Sequence, residues 1–342
     1  MPNQDWMAAF SNRDDLTLCD ISFPASHDAG LSEAPDCYHP ISARGAAVMN
    51  GRPDTICQQF DIAGQLLAGS RAFDVRIAMR GDEPRTIHAE GGPVGKAGGG
   101  FGQTARSIFQ QVDQFLAAHP GEIVIVRISH TDETTGARVA QLVRDHIDLS
   151  RRYTSGPRNL GVVPLRKLRG KAVVIFDAVA LPNASPYEGL HRFGRFPPNG
   201  GAMSGLFVCG KYAGFFANIV EVAKTAIACG NEHGEHPKNS QGRHDHLFMV
   251  YWQEAFNVRH KTLLEREPQL KNQGRLVKTK GTHFNLDYLL NAHRGLPVHP
   301  VKKVATEVRP GQHALFRPNW INLDFIDDHI CAKVIEFNDD LL

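Results

Sequence analysis

The sequence predicts an α/β fold, a single distorted TIM-type (β/α)8 barrel. Three observations point to it. Short β-rich runs alternate with longer segments of helical spacing, the pattern of a parallel sheet covered by helices. Several runs are apolar along their whole length, as strands buried on both faces are. No dinucleotide-binding glycine fingerprint follows a strand, so about eight strand candidates favour closure over an open doubly wound sheet. A prior of about 150 residues per domain would divide 342 residues in two. An insertion-bearing barrel accommodates the same length as one domain over residues 1–342.

In chain order, residues 16–22 (LTLCDIS) read as the first strand and 61–68 as a helix with Ile62, Leu66 and Leu67 on one face. Residues 71–79 (RAFDVRIAM) form the second strand and 85–88 the third. Over 104–118, Ala105, Ile108, Phe109, Val112, Phe115 and Leu116 recur at helical spacing. Gly121 breaks that helix before the apolar run 122–128 (EIVIVRI). A helix over 135–146 then leads to the strand 171–176 (KAVVIF). Further strand candidates are 206–209, 246–252, 282–286 and 320–323, with helices over 215–228, whose apolar face suits core packing, and 326–337. Residues 182–203 and 230–243 are rich in Gly, Pro, Asn and His and read as loop insertions.

Composition excludes several classes. With 42% apolar and 22% charged residues, 32 Gly and 20 Pro, the chain is not disordered, collagenous or a coiled coil. A formal charge of +2, from 38 basic and 36 acidic residues, argues against a nucleic-acid partner. No apolar run reaches the 18 or more residues of a transmembrane segment. The N-terminus shows no basic region followed by an apolar one, leaving the cytoplasm or a mature secreted form. Six cysteines without a CxxC exclude zinc-ribbon and thioredoxin patterns. They read as buried thiols, with a Cys37–Cys57 bridge open if the chain is exported. Residues 91–102 (GGPVGKAGGGFG) are not a P-loop, because Ala97 follows Lys96; they read as a loop over the site. Among the 17 histidines, His233, His236, His244 and His246 lack a recognised metal-ligand frame and read as a solvated loop.

Reactive groups of such barrels lie at the carboxyl ends of strands. The first strand leads into Phe23-Pro-Ala-Ser-His27-Asp28. Asp74 and Arg76 share one face of the second strand, where charge is costly unless paired or functional. The third strand ends at His88, and Asp324 follows the apolar run at Trp320. Two histidines, an arginine and nearby carboxylates suit metal-free phosphodiester cleavage. One imidazole accepts a proton from the attacking hydroxyl and the other protonates the leaving oxygen. A guanidinium neutralises charge on the phosphate, and a carboxylate beside each His sets its tautomer.

The ordered stretches ISFPASHDAG, QQFDIAGQLLAGSRAFDVRI, TIHAEGG and HPGEIVIVRIS resemble the X-domain of phosphatidylinositol-specific phospholipase C. The bacterial, metal-independent branch matches best. The resemblance is strong over residues 16–129 and resumes at LRGKAVVIF, YWQEAFN and NWINLDFID. It implies a barrel that cleaves phosphatidylinositol to diacylglycerol and inositol 1,2-cyclic phosphate, acting peripherally at a membrane surface and without a cofactor. By the same resemblance His27 is the general base backed by Asp324, and His88 the general acid supported by Asp28. Arg76 then contacts the phosphate, Glu254 the inositol hydroxyls and Phe256 the sugar face. The calcium-dependent branch has Asn after the first His and two carboxylates in the second strand; Asp28, Asp74 and Arg76 stand there instead, which implies no metal. Ser129-His130 and Asp177 depart from basic positions of the bacterial enzymes, and the role of Asp74 stays open. A metal-dependent phospholipase C or glycerophosphodiesterase and a non-catalytic headgroup binder are the alternatives.

Overall fold

The computed structural model describes residues 3–32, 36–38, 56–89, 99–195, 204–212, 244–251 and 317–342. Its strands are β1 (Phe23–Ser26), β2 (Asp36–Tyr38), β3 (Ala72–Arg80), β4 (Glu83–Ala89), β5 (Gly99–Thr104), β6 (Ile123–Ser129), β7 (Lys171–Asp177), β8 (Leu190–Arg195), β9 (Leu206–Tyr212), β10 (Leu247–Tyr251) and β11 (Trp320–Leu323). The described α-helices are α1 (Ile62–Ala68), α2 (Ala105–Ala118), α3 (Glu133–His146) and α4 (Asp328–Ile335). Strands β1, β3 and β6 to β11 pair in parallel, and β1 meets both β3 and β11, so the ring closes. This is the eight-stranded α/β barrel that the alternation predicts. Strand β3 outruns the ring, and its outer half pairs antiparallel with β4, to which β5 and β2 are added.

Period-two alternation sorts the apolar side chains into two layers. Ala72, Ile123, Ile125, Val173, Ile175, Leu206, Val208, Leu247, Met249 and Trp320 pack together inside the barrel. Phe73, Val75, Val124, Val126, Ile128, Val174 and Phe176 face outward under Ile108, Phe109 and Val112 of α2 and Val139 and Val143 of α3. A β-run apolar at every position therefore serves two cores at once. Thr104 and Asp132 cap the N-termini of α2 and α3 by accepting from Ser107 N and Thr135 N.

Several sequence expectations change. Residues 16–22 are not a strand. The Asp20 carboxylate accepts from both Thr17 N and Thr17 Oγ1 at 2.8 Å, turning the chain into a short 3-10 helix over Leu18–Asp20. The strand begins only at Phe23. The third predicted strand lies in β4, outside the barrel ring. Leu67 is exposed, because only the i, i+4 pair Ile62 and Leu66 faces inward. The expected insertion at 182–203 contains β8; its pattern is obscured by exposed Arg192 and by buried His191, which is satisfied by the Tyr153 carbonyl at 2.8 Å. Residues 99–102 of the expected glycine loop belong to β5. His246 is buried rather than solvated, its ring edge-on to His244 at 5.3 Å. Residues 215–228, 230–243 and 282–286 lie outside the described residues.

At the amino-terminal end of the barrel, the 3-10 segment Asn3–Phe10 inserts Trp6, Met7 and Phe10 into the inner core. Arg71, fully buried, ties it in place: Nε meets Glu122 Oε2 at 2.7 Å, Nη1 donates to the Leu66 and Ser70 carbonyls, and Nη2 donates to Gln4 O. Removing one partner of a buried pair strands the other charge. Glu122→Ala is therefore expected to cost about 3–5 kcal/mol of stability, read from the midpoint of urea unfolding.

Candidate active site

The strand register brings the first two groups together. Phe23 and Ala25 point into the barrel, so His27, two residues on, does too. Trp320 points inward on β11, and Asp324 keeps its parity. Because Phe23 lies beside Trp320 and Ser26 beside Leu323, the next inward positions are adjacent: His27 Nδ1 donates to Asp324 Oδ1 at 2.9 Å. Gln58 Nε2 clamps the two chain ends by donating to His27 O and Leu323 O at 2.7 and 3.0 Å. Asp28 then takes a left-handed conformation, φ 43°, which Asp tolerates better than most residues. That turn places its carboxylate across the barrel mouth.

Arg76 reaches this carboxylate from β3, with Nε 2.8 Å from Asp28 Oδ1. Its Nη2 lies 3.1 Å from His27 Nε2. His88 arrives by a different route, on the hairpin outside the ring, and its Nδ1 meets Asp28 Oδ2 at 2.7 Å. That approach depends on two glycines. A Cβ on Gly30 would stand 2.2 Å from Thr86 Cγ2, and one on Gly102 would stand 2.4 Å from the Gly30 carbonyl oxygen. In the space thus left, Thr86 Oγ1 and Gln103 N both donate to Gly30 O, at 3.0 and 2.9 Å. The structure thus brings His27, Asp28, Arg76, His88 and Asp324 into one cluster. Glu254 and Phe256 lie outside the described residues.

Charge is unevenly distributed in this cluster. Burial alone would lower the pKa of His27, but the Asp28 charge and the Asp324 hydrogen bond outweigh it and carry it up to about 10. Burial would likewise raise Asp28, yet His27, Arg76 and His88 hold its carboxyl well below the usual range. A proton on His27 Nε2 would face the Arg76 guanidinium. Arg76 Nη2 can donate only to an unprotonated Nε2. The carboxylates thus favour a proton there and Arg76 opposes one, so the ring acts as a base in its neutral form alone.

A second polar layer was missed by sequence reasoning. Arg127 sits inward on β6, in register with Asp74 of β3. Its Nε and Nη2 donate to Asp177 at 3.0 and 3.1 Å, its Nη1 donates to Tyr251 Oη at 3.0 Å, and its guanidinium lies 3.8 Å from the Phe193 ring centre. Asp74 accepts from Ser129 Oγ at 2.7 Å and lies 3.7 Å from Arg127. Burial pushes the Tyr251 phenol up to about 12, with the Asp74 charge adding to it and Arg127 opposing. The signal for Arg127 was present: one charge within the run IVIVRI, on the inner parity of Ile123 and Ile125. The other residue missed is Cys57, a buried thiol with Sγ 3.8 Å from His88 Nδ1 and 3.9 Å from Asp28 Oδ2. It precedes α1 in a segment without periodicity, where the sequence suggested only a bridge to Cys37; Cys57 is instead a free thiol. Among the described residues, His27, Cys57 and Asp324, and also Asp28, Cys57 and His88, form the groups able to hold a metal ion.

A closed parallel barrel thus carries histidines, an arginine and carboxylates at its carboxyl-terminal mouth. Solved structures similar in fold are bacterial phospholipases C. Phosphatidylinositol-specific phospholipase C from Listeria monocytogenes matches with a TM-score of 0.55 at 15% identity, covering 99% of this chain and 100% of that one. A substituted form of the Staphylococcus aureus enzyme matches with a TM-score of 0.57 at 15% identity, covering 99% and 98%. In sequence, human PI-PLC X domain-containing protein 2 is 30% identical over 147 residues, 39% of this chain. The chain thus matches 46% of that relative's length. No family model matches. Sequence similarity to an X-domain protein over part of the chain thus stands beside fold similarity to bacterial phospholipases C over nearly all of it.

Two outcomes follow from this geometry. Gly102→Ala is expected to lower stability by about 1–3 kcal/mol through overpacking and to shift the His88 ring resonances while His27 keeps its own, as read by urea unfolding and NMR. In an NMR titration, His27 should protonate well above an ordinary histidine, near 10. Asp324→Asn removes a partner that favours the charged ring, so the midpoint should fall.

Proposed function

We propose that the chain is a metal-independent phosphodiesterase that cleaves phosphatidylinositol to diacylglycerol and myo-inositol 1,2-cyclic phosphate. The observation that carries the proposal is the position of Asp28. One buried carboxylate contacts His88 at 2.7 Å and Arg76 at 2.8 Å, and lies 3.5 Å from His27 Nε2. Acid, phosphate-binding cation and base therefore share one origin, at the spacing of groups around a single phosphodiester. The barrel fold shared with the bacterial phospholipases and the sequence similarity to an X-domain protein support the same reading.

In this mechanism His27 Nε2 takes the proton of the inositol 2-hydroxyl, and that oxygen attacks phosphorus. Asp324 holds the ring proton on Nδ1 and stabilises the imidazolium that forms. Arg76 turns its guanidinium toward the non-bridging oxygens, where negative charge accumulates. His88 delivers a proton to the departing diacylglycerol oxygen, supported by Asp28, and the phosphorus–oxygen bond to that group breaks. Water opens the cyclic product in a slower second step. Glu254 and Phe256 are assigned to the inositol hydroxyls and the ring face. The substrate is a lipid met at a membrane surface; no described helix is long and apolar enough to cross a membrane.

The test is phosphorus NMR of phosphatidylinositol vesicles incubated with the protein, with and without EDTA. A cyclic phosphate signal that persists in EDTA is expected. His27→Ala and His88→Ala should each cost roughly 10²–10⁴-fold in turnover, the usual worth of acid–base catalysis. Full activity in either variant would overturn the mechanism. An acyclic product that vanishes with EDTA would favour a metal-dependent phosphodiesterase, and vesicle binding without turnover a headgroup-binding protein.

A further inference from the structure

We propose that the cluster around Cys57 is a binding site for a borderline-soft divalent cation, with Zn²⁺ as the type ion, superimposed on the acid–base groups. Three candidate ligands come from three separate parts of the chain: Asp28 after β1, Cys57 before α1, and His88 on β4. Cys57 is the common member of both metal-competent groups. Its thiol has no part in the proposed phosphodiester chemistry.

The distances suit tetrahedral coordination. With Zn–S near 2.3 Å and Zn–N or Zn–O near 2.0–2.1 Å, a sulfur and a light ligand atom stand about 3.5 Å apart. Cys57 Sγ lies 3.8 Å from His88 Nδ1 and 3.9 Å from Asp28 Oδ2. The short edge is His88 Nδ1 to Asp28 Oδ2 at 2.7 Å, because a proton sits between them. An ion entering there takes that proton's place and that of the Cys57 thiol. Both protons leave to solvent, His88 keeps its proton on Nε2, and the edge opens by about half an ångström to the tetrahedral spacing.

Charge and ligand type decide which ion fits. Asp28, Asp324 and a Cys57 thiolate offset the ion together with the Arg76 guanidinium, which alone would repel it. A hard cation such as Ca²⁺ or Mg²⁺ prefers six or more oxygen ligands, whereas one thiolate, one imidazole and one carboxylate, with solvent in the fourth position, suit zinc. His88 is partly exposed, with 18% of its side-chain surface open, and supplies the way in. An ion held here occupies Nδ1 of His88 and Oδ2 of Asp28. If the site catalyses as proposed above, the bound ion inhibits it; binding itself stands apart from that reading.

Binding is therefore tested without reference to turnover. The full chain, titrated with Co²⁺ as a spectroscopic stand-in, should develop a thiolate-to-cobalt charge-transfer band that Zn²⁺ displaces. Cys57→Ser should abolish the band and weaken Zn²⁺ binding at least about tenfold, since even outer-shell partners of a metal are worth that much. Cys209→Ser should retain both. X-ray absorption at the zinc edge of the unsubstituted protein should show one sulfur among nitrogen and oxygen neighbours, a result independent of whether any variant folds. No band in the unsubstituted protein, a band surviving Cys57→Ser, or a zinc shell with no sulfur or with several would each overturn the proposal. Where phosphatidylinositol is cleaved, zinc should inhibit the unsubstituted protein reversibly. Absence of cleavage would bear only on the proposed function.

Discussion

The Asp28 carboxylate is the constraint on which the mouth of the barrel depends. It is buried, so its charge is sustained only by neighbours, and those neighbours come from separate elements: His27 beside it, Arg76 from the ring strand β3, His88 from the β4 hairpin. Removing a carboxylate from water is costly, and three cationic or proton-donating partners offset that cost. The same contacts orient the partners toward one point. Electrostatic necessity and site geometry are here one arrangement.

The lower barrel contributes rigidity rather than chemistry. Its inner core of aliphatic side chains, closed from beneath by Trp6, Met7 and Phe10, is dense and apolar. Near the carboxyl ends of the strands, the inward positions among the described residues include His27, Asp74, Arg76, Arg127, Ser129, Asp177, Tyr251 and Asp324. The Arg127 network with Asp177, Tyr251 and Phe193 forms a charged platform whose own charges are largely internally paired. It supplies from β6 the positive charge that the sequence lacks at Asp177 on β7.

Much of this was legible in the sequence, and the exceptions share a physical reason. The nearly continuous apolar runs of β6 and β7 and the amphipathic helix α2 declared themselves, because burial on a regular period leaves a regular pattern. His27, Asp28, Arg76, His88 and Asp324 stood out as polar residues at strand ends. The first strand was placed too early because the Thr17–Asp20 capping interaction is local and outweighs an apolar run. β8 was hidden because a buried histidine with a carbonyl partner reads as polar. Arg127 passed as part of an apolar run, and Cys57 sits in irregular chain. Which side chains converge there depends on strand register and close packing, which composition does not encode.

The hairpin of β4 and β5 has a further consequence. His27 is embedded in the closed ring, whereas His88 rides on an appendage held against the ring by a few backbone and hydroxyl contacts at Gly30, Thr86 and Gln103. Local opening costs less than global unfolding where fewer buried contacts must break. The two histidines therefore belong to different cooperative units. Hydrogen exchange in mild denaturant is expected to register two protection classes, a lower one for the β4–β5 hairpin that carries His88 and a higher one for the ring that carries His27.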